Sequence, residues 1–73
     1  MFENNLQTIL DDNALTQVQL VKATKLSRGL INKTCRKRIN PRQKAKELLV
    51  SGINKLLDGK IKKAYSQNDV FPS

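Results

Sequence analysis

Apolar residues along this chain recur at helical intervals. Phe2, Leu6, Ile9 and Leu10 fall at i, i+4, i+7 and i+8, which predicts a first helix running to about Asp12, with Asn13 suited to a left-handed exit. "LTQVQL" carries a start signal: Thr16 can cap, Gln19 can reach back from the third helical position, and Leu15 can staple onto Leu20. A second helix over 16–23 follows. "LSRGLI" repeats the device with Ser27 as cap and Leu26 against Ile31, giving a third helix to about Arg36. "INPRQ" opens a fourth, with Asn40 as cap and Pro41 in the first turn, where a missing N–H is harmless. Leu48, Leu49, Ile53, Leu56 and Leu57 carry it to about Asp58, and Gly59 can end it. "YSQNDVF" predicts a last short turn, with Ser66 as cap, Asp69 three residues on, and Tyr65 against Val70. Residues 60–64 stay ambiguous, since Ile61 and Tyr65 could continue the fourth helix's stripe. With no internal repeat, linker or low-complexity segment, the expectation is one all-α domain over 1–73, with five helices and no strand.

Composition narrows this further. At 73 residues, with 38% apolar residues and three aromatics, the core must be mostly Leu, Ile and Val. One cysteine excludes an internal disulfide, and a lone thiol without histidine makes no zinc site. No cofactor or metal is therefore expected. No apolar run approaches the roughly 20 residues that span a bilayer, and "MFENNLQTIL" lacks the basic and apolar regions of a signal peptide. A soluble cytoplasmic chain is the expectation.

Charge changes the picture most. Fourteen Lys and Arg against six Asp and Glu give +8, with pI near 10.1. Residues 1–21 carry three acids and no base, residues 22–46 ten bases and no acid, and residues 47–73 four bases and three acids. So polarised a map reads as one docking face for a polyanion, of which nucleic acid is the commonest. The plainer alternative is a solvated basic surface.

The second and third helices are separated only by Thr24 to Leu26, a spacing that gives the sharp crossing of a helix-turn-helix. On a helical wheel Leu30, Ile31, Thr34 and Cys35 share one face, and Arg28, Gly29, Asn32, Lys33 and Arg36 share the other. The first set packs on the domain. The second offers side chains that read base edges and phosphates in a major groove, where carboxylates would repel the backbone.

Here the chain resembles the phage repressor and Cro-type helix-turn-helix family. The likeness rests on "LTQ" (Leu15, Thr16, Gln17), Leu20, "LS" (Leu26, Ser27), Ile31, "NP" (Asn40, Pro41) and the closing "YSQNDVFP", and covers 6–72. It implies a five-helix domain that lays helix 3 in the major groove of double-stranded DNA, usually as a homodimer on a near-palindromic operator. It also implies that Arg28, Gly29, Asn32 and Lys33 read bases. Gln17 would meet a phosphate and brace position 28, and Ser27, Arg36, Lys37, Arg38 and Arg42 would join it on the phosphates.

The chain departs from the family's pattern in places. Ala14, Lys25 and Lys37 stand where glycine is usual, Val21 where a small residue is, and Thr34 at an apolar position. Leu10 and Cys35 occupy the positions of a common arginine–glutamate pair; an apolar pair replaces a buried ion pair at little cost.

Each singled-out residue also has a plain reading. Gly29 is either a close-approach residue or a helix-weakening accident. Cys35 reads as a small buried hydrophobe rather than a redox sensor, Val70 and Phe71 as core or dimer contacts, and Lys60, Lys62 and Lys63 stay undecided. Lacking histidine, a nucleophile–base pair and a glycine-rich phosphate loop, the chain is not expected to be an enzyme or to take a small-molecule substrate.

The expected function is sequence-specific transcriptional regulation, as a Cro-like repressor of a phage or mobile element, in a bacterial or phage-infected cytoplasm at the nucleoid. The same residues also suit the DNA-binding part of a longer protein. The alternative, from a different class, is a basic helical adaptor for RNA or a protein partner.

Overall fold

The computed structural model describes residues 2–60 and 63–72. Its elements are α1 (Leu6–Asp12), α2 (Gln17–Thr24), α3 (Arg28–Cys35), α4 (Gln43–Leu56) and α5 (Gln67–Val70), with no strand among the described residues. The all-α expectation therefore holds. Ile61 and Lys62 lie outside the described residues. Leu6, Ile9 and Leu10 of α1, Leu20 of α2, Ile31 and Cys35 of α3, and Leu49, Val50, Ile53 and Leu57 of α4 and its cap form one core. Val70 and Phe71 close it, so both are core residues. Among the described residues, no helix is long and apolar enough to cross a membrane.

Two starts follow the sequence signals closely. Thr16 Oγ1 accepts from the Gln19 amide at 3.2 Å while Gln19 Oε1 accepts from the Thr16 amide at 2.8 Å. Ser66 and Asp69 exchange the same pair of bonds ahead of α5, and the donated Ser66 N–H holds the Asp69 carboxyl below its usual range. Ser27 caps α3 through the Leu30 amide.

Other boundaries differ from expectation. Phe2 is not on α1 and is 47% exposed. The helix is cut back to Leu6 because the buried Asn4 accepts from the Leu6 amide at 3.0 Å and donates to the Thr34 carbonyl at 2.9 Å. These bonds favour a local turn over helix at this point. Asn5 also binds outward, from its amide to the Val70 carbonyl. Asn40 does not cap α4. The helix begins at Gln43 with Arg42 as N-cap and no side-chain cap, and Pro41 lies buried in the loop before it rather than in the first turn.

The left-handed exit of α1 falls on Ala14 (φ 55°) rather than Asn13 (φ −110°). Asn13 directs its side-chain amide to the Ile9 carbonyl and the Tyr65 hydroxyl. Ala14 and Leu15 then donate to the Asp11 and Leu10 carbonyls, the paired bonds of a Schellman turn. The end of α3 repeats it, with Lys37 at φ 62° and bonds from Lys37 to Thr34 and from Arg38 to Lys33. Lys25, at φ 62°, ends α2. Three helices thus end on side-chain-bearing residues in the left-handed region.

The turn from α2 to α3 is held by Thr24. Its Oγ1 donates to the Leu20 carbonyl at 2.8 Å and accepts from the Leu26 amide at 3.2 Å. Its methyl faces α4 at Gly52, where an added Cβ would lie 2.5 Å from Thr24 Cγ2 and 3.3 Å from Leu20 Cδ1. Because the hydroxyl pins the rotamer, the methyl cannot swing away.

Two substitutions of opposite sign test this frame. Lys25→Gly is expected to stabilise the domain by about 0.5 kcal/mol in a urea or thermal melt, because relief of the Cβ strain is partly offset by greater freedom of the unfolded chain. A loss of about 1 kcal/mol or more would show that residue 25 is not left-handed in solution. Gly52→Ala is expected to destabilise by about 1–2 kcal/mol, overpacking outweighing alanine's better helix propensity. Thr24→Ser in the same chain removes the methyl, keeps the hydroxyl, and is expected to restore most of that loss.

Candidate nucleic-acid interface

Helix α3 divides as the wheel requires except at Leu30 and Asn32, whose burial is alike. Ile31, Thr34 and Cys35 are buried, and Thr34 satisfies its hydroxyl by donating to the Leu30 carbonyl at 2.7 Å. Arg28, Gly29, Lys33 and Arg36 are exposed, and Asn32 and Leu30 are half-buried. Arg28 occupies the first helical position, directly after the Ser27 cap. The Ser27 hydroxyl is already engaged by that cap, which leaves its oxygen able to take part in a second bond.

The Schellman turn splits the run of three bases that follows. Arg36 and Arg38 are exposed, whereas Lys37 is half-buried and pairs with Glu3 at 3.3 Å. The Phe2 amide donates to the Lys37 carbonyl at 3.1 Å, so residues 2–4 lie along this turn. Glu3 brings a carboxylate to a segment that carries none of its own. Both side chains still reach solvent, 39% exposed for Lys37 and 74% for Glu3, and such surface pairs are worth about 0–1 kcal/mol. Arg42 is exposed at the start of α4, whose first-turn amides lack a side-chain cap and remain available to an anion.

Gln17 opens α2 and reaches α3, but to Asn32 rather than to position 28. Asn32 Nδ2 donates to Gln17 Oε1 at 3.3 Å, and Gln17 Nε2 donates to Gln7 Oε1 at 3.0 Å. Gln7 was not singled out from the sequence. The signal available was its spacing to Asp11, four residues on and on the same face of α1, where Gln7 Nε2 donates to Asp11 Oδ1 at 2.8 Å.

Cys35 lies in the core beside this face. Burial, and secondarily the charge of Asp11, push its thiol up to about 11, so it is protonated at neutral pH and packs as a small apolar group. Leu10, at the other half of the position pair, is fully buried. Among the described residues, no three His, Cys, Asp or Glu side chains converge so as to hold a metal ion.

At Gly29 an added Cβ meets no atom within 4 Å. Nothing inside the domain requires glycine there, and alanine is the better helix former by up to about 1 kcal/mol. Gly29→Ala is accordingly expected to leave thermal stability unchanged or slightly raised. A lowered melting temperature would show that the first turn of α3 is packed against the domain in solution.

Compared with known proteins, the chain matches no family model and no curated protein, so a functional reading rests on these side chains and their arrangement.

Proposed function

We propose that the chain is a sequence-specific double-stranded DNA-binding regulator of transcription, a Cro-like repressor of a phage or mobile element. It acts as a homodimer on a near-palindromic operator. The observation that carries this reading is the outward face of α3, where exposed Arg28, Gly29, Lys33 and Arg36 flank half-buried Asn32, with no carboxylate on the helix, behind a short turn from α2. Such a face on a helix of two turns matches the width of a major groove, and its arginines and lysine match the donor needs of phosphates and guanine edges.

Three further features support it. Ala14, Lys25 and Lys37, the positions where the resembled family carries glycine, are the non-glycine residues with positive φ among the described residues. Arg38, Arg42 and the uncapped start of α4 supply sequence-independent grip on the backbone. The three aromatics, Phe2, Tyr65 and Phe71, lie outside α3, which disfavours an RNA reader that stacks unpaired bases. Helix α2 carries no acidic residue, so activation through acids on that helix has no basis here and repression is the reading adopted.

Selection from randomised duplex is the test, and an inverted repeat is the expected product. Arg28→Ala is expected to weaken binding to the selected site by about 1–3 kcal/mol and to relax one position in each half-site. Arg38→Ala is expected to weaken all duplexes alike, and is a cleaner phosphate probe than Lys37, whose ammonium is shared with Glu3. Enrichment of no duplex, or uniform losses from both variants, would remove α3 as the reader and favour a basic adaptor for RNA or protein.

A further inference from the structure

Four side chains form one hydrogen-bonded file across three helices. Gln7 donates to Asp11 at 2.8 Å, Gln17 to Gln7 at 3.0 Å, and Asn32 to Gln17 at 3.3 Å. Asp11 and Gln7 belong to α1, Gln17 to α2 and Asn32 to α3. Three of the four are primary amides, each with a donor at one end and an acceptor at the other. A file of amides alone could run in either direction with nearly equal energy. Asp11 removes that freedom.

An ionised carboxylate can only accept. Gln7 must therefore turn its nitrogen to Asp11 and its oxygen to Gln17. Gln17 must then turn its nitrogen to Gln7 and its oxygen to Asn32, and Asn32 must turn its nitrogen inward. One Nδ2 proton of Asn32 is engaged by the file, leaving the other proton and Oδ1 outside it. A donor beside an acceptor is the pattern that matches N7 and the N6 amino group of adenine in the major groove. Were the file reversed, Oδ1 would face Gln17 and Asn32 would offer two donors, the pattern that suits N7 and O6 of guanine.

We infer that Asp11, acting through Gln7 and Gln17, fixes the direction of the Asn32 amide and thereby makes Asn32 a reader of adenine. The inference rests on the duplex-binding reading above. Asp11, Gln7 and Gln17 are positioning residues in this scheme, and Asn32 is the residue that meets the base.

Asp11→Asn tests the file with almost no change of shape, because an amide at position 11 can accept or donate and so permits both directions. In selection from randomised duplex, the wild type is expected to prefer adenine at one position of each half-site, by the roughly 5- to 150-fold typical of a good bidentate pair. Asn32→Ala flattens that position. Asp11→Asn admits guanine there, bringing adenine and guanine to within about twofold by making the two file directions nearly equal, while the position read by Arg28 keeps its preference. Asp12→Asn makes the same change of charge outside the file and leaves both positions as they are.

In the free protein, Asp11→Asn and Gln7→Leu are each expected to shift the Asn32 side-chain amide signals in a proton–nitrogen correlation spectrum, and Asp12→Asn is not. If the wild type enriches no duplex, the duplex reading falls and the adenine assignment falls with it. If it enriches a site at which Asp11→Asn leaves adenine preferred, or if the Asn32 amide ignores both substitutions, the inference alone is overturned.

Discussion

How closely α2 can lie on α4 governs what α3 can present. At Gly52 the absent side chain makes room for the methyl of Thr24, and the hydroxyl of that same threonine ties the end of α2 to Leu26 in the turn that follows. One residue thus fills an interhelical gap with one branch and sets a turn with the other. With α2 seated and the turn fixed, α3 has one way to bury Ile31, Thr34 and Cys35. The opposite side of α3 faces water as a consequence of packing, before any charge is considered.

The helix ends bear strain of a uniform kind. Ala14, Lys25 and Lys37 hold left-handed backbone with a Cβ in place, a conformation disfavoured by about 1–2 kcal/mol per residue. Against a domain stability of about 5–15 kcal/mol, three such residues are a substantial handicap. Two features let the fold tolerate it. Schellman bonds fix Ala14 and Lys37 from both sides, and the Thr24 hydroxyl holds the residue that follows Lys25. Two of the three are lysines, so positions that glycine would leave bare carry ammonium groups within the basic segment.

Much of this was legible in the sequence, and the failures have physical reasons. Capping boxes at Thr16 and Ser66 are local, needing only residues three apart, and both formed as read. The stripe Leu6, Ile9 and Leu10 was likewise sufficient to place α1 in the core. Phe2 fitted the same period but lies off the helix, because Asn4 bonds a carbonyl thirty residues away, a partner that no local pattern reveals. "INPRQ" misled for a related reason: proline fits a first turn or the loop ahead of a helix, and Pro41 is buried in the loop, which no local pattern reveals. On the candidate face, charge and exposure could be read from the wheel, whereas the direction of the Asn32 amide depends on residues of two other helices.

The bonds of residues 2–5 also bear on the order in which the fold can assemble. Asn4 waits for Thr34, the Phe2 amide for Lys37, and the Asn5 amide for Val70, which closes the chain almost end to end. A ribosome makes residues 2–5 before any of these partners, so their anchoring waits on Thr34, Lys37 and Val70 in turn. Until residues 67–71 are free to fold, Asn5 has no carbonyl to meet and the core lacks Val70 and Phe71. Anchoring of residues 2–5 thus rests on contacts of long sequence separation, whose loop-closure cost is met only after the helices between them are in place.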